Sequence, residues 1–179
     1  MWKLGVIIVA LGVCAGSPVP SFAQAQSGDE EGFYRNKHFG YRLHFPAQLF
    51  QKKTPSENGD GASFATADNR ATVKVFGAFN DDGMSIDEYR STILKNFSGY
   101  ENIDYGPVRR TWFVLSGTRE ERIYYQKVIF SCGGKVVNIL AINYPKAEKK
   151  PFDPIVEGLE KSFRPASGDD CPRAEPRPR

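Results

Sequence analysis

The sequence predicts an α+β domain: a mostly antiparallel sheet of about six strands sandwiched between helices. Three observations predict it. Stretches with the two-residue period of a strand follow one another closely, and short connections suit antiparallel pairing. Two other stretches combine a helix-start signal with apolar residues three and four apart. The strand 135–144 is apolar on both sides, with Val136, Leu140, Ile142 and Tyr144 on one face and Val137, Ile139 and Ala141 on the other. A sheet wetted on one face would alternate apolar with polar, so both faces need a cover. The 179 residues, 40% hydrophobic and 25% charged, suit one domain with a sizeable core.

In chain order, Lys3 and the terminal amine precede an apolar run, Leu4–Val13, that falls short of the roughly 20 residues needed to span a bilayer. A breaker, Gly16-Ser17-Pro18, and the small residues of Ser21-Phe22-Ala23 and Ala23-Gln24-Ala25 follow. This is the pattern of a secretory signal peptide over residues 1–23, with cleavage after Ala23 or Ala25 and no membrane span left behind. The expected location is the periplasm or outside the cell. The less favoured alternatives are an uncleaved amino-terminal anchor and a lipoprotein anchored at Cys14, where Val13 is a poor preceding residue. Residues 24–38 read as a disordered leader, since Ser27-Gly28-Asp29-Glu30-Glu31 is polar and acidic.

The domain is expected over residues 39–165. Tyr41–Phe45 alternates as a strand stopped by Pro46, and Lys52–Gly61 has the composition of a loop. Ala62–Ala67 and Ala71–Phe79 read as strands about an Asp68-Asn69-Arg70 turn. Ser85-Ile86-Asp87-Glu88 is a capping box, and Ile86, Tyr89, Ile93 and Phe97 share one face of a helix over 86–97. Val108–Leu115 is the next strand, with a turn at Ser116-Gly117-Thr118. Arg122–Phe130 and Lys135–Tyr144 form a hairpin about Cys132-Gly133-Gly134. A second helix is expected to start at Asp153 as N-cap, with Pro154 in its first position and Ile155, Val156, Leu159 and Phe163 on its buried face. Residues 166–179 are a Pro/Arg-rich tail, expected to be extended and mobile apart from Cys171.

Without residues 1–23 the 24 basic residues fall by one, Lys3, leaving 23 against 21 acidic. So even a balance, in an exported chain, argues against a nucleic-acid partner. Two cysteines remain, Cys132 and Cys171, and an oxidising compartment permits one intramolecular pairing; two separate thiols are the alternative.

Groups for catalysis are sparse. His38 and His44 stand six apart and match no zinc motif, no nucleophile elbow occurs, and Asp81-Asp82-Gly83 lacks the spread of oxygen ligands a calcium loop needs. No metal, cofactor or catalytic set is expected. The candidates for a binding surface are Trp112, Tyr124, Tyr125 and Tyr144, whose rings suit a pocket or an interface, together with His44.

Phe39-Gly40-Tyr41-Arg42-Leu43-His44-Phe45-Pro46 resembles the opening of the PsbP-like domain family. Tyr124-Tyr125, Gly133-Gly134, Asn143-Tyr144-Pro145, Phe152–Val156 and Lys161-Ser162-Phe163 are similar to its closing half. The family includes the extrinsic PsbP subunit of photosystem II, a nuclear Ran-binding factor and bacterial envelope proteins. The resemblance implies an antiparallel sheet between helices and a role in binding proteins, with no shared catalytic residue. The cysteine pair lies outside the general pattern. The function expected is therefore an exported, non-catalytic protein-binding or accessory protein, its partner an unknown envelope or extracellular protein. The alternatives are a small-ligand binding protein and, less favoured, a small hydrolase using His44.

Overall fold

The computed structural model describes residues 31–96 and 102–173. The expected signal peptide, its cleavage sites and Cys14 lie outside the described residues. The main sheet has seven strands, β3 (Lys52–Pro55), β4 (Gly61–Ala65), β5 (Thr72–Phe79), β6 (Asn102–Tyr105), β7 (Trp112–Arg119), β8 (Arg122–Ser131) and β9 (Val136–Pro145). Their order across the sheet is β3-β4-β5-β9-β8-β7-β6, and every adjacent pair is antiparallel. A separate hairpin pairs β1 (Glu31–Arg35) with β2 (Arg42–Pro46). The helices are α1 (Ile86–Asn96) and α2 (Lys149–Ser162). The α+β class and the two covered faces are as expected; the main sheet gains β3 and β6, and the expected strand 41–45 lies instead in a second small sheet.

The alternation in β9 divides the core. Val136, Leu140, Ile142 and Tyr144 join Val73, Val75, Val114 and Ile129 beneath α2 and the β1–β2 hairpin. Val137 and Ile139 face the other way with Phe113, Leu115, Val128 and Phe130, where Phe76 and Ile86, Tyr89 and Ile93 of α1 pack on them. Gly77 lets the first layer close: a Cβ there would stand 2.4 Å from Cγ of Phe39.

Four expectations need correction. The leader does not run to residue 38, because Glu31–Arg35 pairs with β2 and Tyr34 packs edge-on against Phe64. Asn36 is buried, and its amide donates to the Gly59 carbonyl at 2.8 Å. The supposed loop at 52–61 contains β3, a fully exposed edge strand in which Lys and Thr have no apolar face to show. Ser116-Gly117-Thr118 does not turn. Ser116 and Gly117 pair with β8 on one side and β6 on the other, so the ladder overrides their turn propensity. The reversal falls at Glu120-Glu121, both left-handed at φ 47 and 56.

Finally, α2 begins at Lys149, and Pro154 lies inside it. Phe152, buried, stacks on Tyr144 at 4.6 Å and 10°, and Lys149 holds Asp153 at 2.8 Å. Both contacts draw the turn before Asp153 into the helix. The missing N–H of Pro154 leaves only a bond near the helix start unmade. The capping box at α1 forms as expected: Ser85 N–H donates to Glu88 Oε2 at 2.8 Å, and Glu88 N–H to Ser85 Oγ at 3.3 Å. Phe97 lies outside the described residues.

Candidate functional site: an open groove and an open edge

Helix α1 contributes no buried residue, whereas α2 buries Phe152, Val156 and Leu159. Because α1 covers only one end of its sheet face, a groove of about 580 Å³ opens beside it. The floor is set by register. One row across the strands is Phe76, Ile139, Val128 and Phe113. The next is Lys74, Ala141 and Gln126, and the third is Thr72, Asn143 and Tyr124. The face thus grades from apolar under α1 to polar at the far end, with the small Ala141 at the middle of the floor. Met84, Tyr89, Thr92, Ile93 and Asn96 form the α1 wall. Burial against the sheet raises the Tyr89 phenol pKa above its ordinary value.

At the polar end, Arg122 Nη2 donates to Asn143 Oδ1 and, at 2.6 Å, to the Arg70 carbonyl. Lys74 is exposed and makes no ion pair among the described residues. Among the described residues the groove lining holds Lys74 and no carboxylate.

The five residues singled out as a binding surface are not brought together. Tyr124 alone is on the α1 face. Tyr125 and Tyr144 are buried under α2. Burial, then the nearby Glu160 carboxylate, pushes the Tyr125 phenol well above its ordinary value, and its hydroxyl makes no hydrogen bond of normal geometry among the described residues. Glu160 is instead held by Lys127 at 2.8 Å. Burial, then Asp153, pushes Tyr144 up to about 12. Trp112 packs at the margin of that core with the Arg109 and Lys127 cations 5.8 and 5.0 Å from its ring. His44 lies on β2, with Nδ1 3.1 Å from Glu31 Oε1 and its ring 4.9 Å from Phe33. The nearby Ser162 hydroxyl donates to the His44 main-chain carbonyl, not to the imidazole.

Two sheet edges differ in chemistry. Edge β3 carries Lys52, Lys53 and Pro55, residues that discourage strand addition. Edge β6 carries Ile103 and Tyr105, 38% and 57% exposed. Among the described residues, four of the five large exposed hydrophobic side chains are Leu94, Ile103, Tyr105 and Val108. A β-bulge sets Ile103 opposite Gly117 and Tyr105 opposite Ser116, so Ile103 faces the α1 side of the β6 edge and Tyr105 the Tyr125 side. The sequence signal for this edge is the Ile103/Tyr105 pair, which is short and flanked by polar residues.

The tail is fastened as a pairing of Cys132 with Cys171, Cα atoms 5.7 Å apart. Residues 166–173 are accordingly ordered against the domain: Ala166 is buried, and Arg35 Nη2 meets Asp170 Oδ1 at 2.6 Å. The turn at Cys132-Gly133-Gly134 is left-handed throughout, with φ 54, 69 and 86, which explains the two glycines. Cys132 is thereby spent as a disulfide and supplies no nucleophile.

No family model and no curated protein sequence matches the chain. Among solved structures it is similar to the solution structure of cyanobacterial PsbP (CyanoP) from Synechocystis sp. PCC 6803. The TM-score is 0.57 at 13% identity, covering 87% of this chain and 99% of that one. A crystal structure from Bacteroides thetaiotaomicron aligns at 11% identity over 71% of this chain and 45% of that one, with a TM-score of 0.43, too low to equate the folds. The fold of this chain is PsbP-like, as the resemblance in its sequence implies.

Proposed function

We propose that the protein is an exported, non-catalytic accessory protein that docks a partner protein along its β6 edge. The observation that carries this is the contrast between the guarded β3 edge and the β6 edge, which exposes Ile103 on one face and Tyr105 on the other. An extended partner segment laid beside β6 would gain main-chain hydrogen bonds, and Ile103 and Tyr105 would supply apolar and aromatic anchors. Export is supported by the signal-like start and by the Cys132–Cys171 bond, which suits an oxidising compartment. The near balance of charge supports a protein partner over nucleic acid. The partner is an envelope or extracellular protein, and the domain spans residues 39–165 extended at both ends by β1 and the fastened tail.

The hydrolase alternative finds no support in the geometry around His44: among the described residues its imidazole meets Glu31 and Phe33, and the Ser162 hydroxyl is turned to the main-chain carbonyl. The test is affinity capture from envelope extract with the mature protein and with an Ile103→Lys/Tyr105→Lys double variant. A partner retained by the first and lost by the second is expected. Recovery of no partner in repeated captures, or equal recovery by both proteins, would overturn the reading.

A further inference from the structure

The groove between α1 and the sheet is separate from the β6 edge, and its lining asks for a different occupant. Its floor is apolar where α1 covers it, at Phe76 and Ile139, narrow in side-chain bulk at Ala141, and polar where it opens, at Gln126 and Asn143. A ligand apolar at one end and polar at the other fits that gradient in one orientation only. The volume, about 580 Å³, lies within the range of small-molecule sites.

Charge then selects the head group. Lys74, beside Ala141 and next to the polar end, makes no ion pair among the described residues, Arg122 stands behind Asn143 with its guanidinium turned to carbonyl oxygens rather than to an acid, and no described Asp or Glu lines the groove. A cationic head would meet Lys74 with nothing to balance it. A carboxylate would gain an ion pair with Lys74 and hydrogen bonds from the Gln126 and Asn143 amides.

We propose that this groove binds a free single-chain amphipathic acid, with its hydrocarbon chain under α1 and its carboxylate at Lys74. Covering the exposed floor also removes apolar surface from water, which is the driving force for the chain portion.

The test is titration of the mature protein below the micelle concentration with dodecanoate, dodecanol and dodecyltrimethylammonium, followed by calorimetry and by amide shifts at Ala141 and Tyr124. Saturable dodecanoate binding is expected, at least about tenfold tighter than dodecanol and tighter still than the cation, a tenfold gap being the scale of one charge-assisted contact. Lys74→Gln, on an exposed side chain, should bring dodecanoate down to the dodecanol level and leave dodecanol unchanged. Ala141→Phe should block both, and its folding is checked by an unchanged circular dichroism spectrum. Should that variant fail to fold, Thr92→Trp on the α1 wall fills the same space. Equal binding of the acid and the alcohol, or loss of neither with either blocking variant, would overturn the proposal. So would shifts produced only by phosphatidylglycerol vesicles, which would assign the face to a bilayer. Nuclear Overhauser contacts from residues 97–101 to Phe76 and Ile139, with no dodecanoate binding, would assign the groove to the chain itself. None of these outcomes bears on capture through Ile103 and Tyr105.

Discussion

The two faces of the sheet are built from the same β-strand alternation and are finished differently. Under α2, the helix, the β1–β2 hairpin and the disulfide-fastened tail cover the sheet, and Phe152, Val156 and Leu159 reach into a core shared with Tyr41, Leu43 and Phe163. Under α1, a helix with no buried residue touches one end of the face and leaves the rest to a groove. The difference teaches where stability and binding reside. Buried apolar area holds the α2 side together, and the area left unburied on the α1 side is available to a ligand.

The largest expected effect follows reduction of the Cys132–Cys171 bond or Cys132→Ser. Releasing a loop of sequence separation 39 should cost up to about 4 kcal/mol by the chain-entropy account, read as a fall in urea midpoint. A loss below about 1 kcal/mol would mean the closed face does not depend on its fastening. Next, Leu159→Ala should cost about 3 kcal/mol, because Leu159 is 1% exposed within the larger core. The matching change on the open side, Ile93→Ala, should cost about 1 kcal/mol, since that side chain is only partly buried. Equal costs would erase the contrast. Hydrogen exchange should agree, with α1 amides exchanging well ahead of those of α2.

A smaller effect is expected at high pH. Tyr41, Tyr125 and Tyr144, all on the closed side, titrate above the ordinary value of 10.0, Tyr144 at about 12, chiefly because burial disfavours the phenolate. A folded-state pKa raised above the unfolded one contributes stability that is full below pH 10 and is lost as pH rises toward 12 and beyond. Tyr144→Phe should make the stability profile between pH 10 and 12 less steep, measured by denaturant midpoints; an unchanged slope would count against burial as the cause.

The smallest effect is expected at low pH. The Asp68 carboxyl, held by the Thr66 hydroxyl and then by Arg70, and the Glu88 carboxyl, held by the Ser85 N–H, both lie below their ordinary values. Their contribution is full above the ordinary carboxylate range and is lost as pH falls through it. Because both are exposed, Asp68→Asn and Glu88→Gln should each flatten the acid limb only slightly.

Legibility followed local physics. The Ser85/Glu88 box, the helix after it and the long β8–β9 pair are plain because each signal is complete within one short, contiguous stretch of chain. The Cys132–Cys171 pairing followed from compartment and count rather than from geometry. By contrast, β1 and β3 were read as leader and loop, because Glu31–Arg35 and Lys52–Pro55 earn their strand state from partners at Arg42–Pro46 and Gly61–Ala65. The five proposed surface residues shared a chemistry but not a place. Alternation sends Tyr124 to one face and Tyr125 to the other, and α2 then buries Tyr125 and Tyr144.

Composition, periodicity and capping were therefore enough for the class, the two-sided sheet and the two helices, since these depend on neighbours in the chain. Which helix seals its face and which leaves a groove depends on how α1, α2 and the tail meet residues tens of positions away. That contact between distant segments made one side of this protein a core and left the other side open.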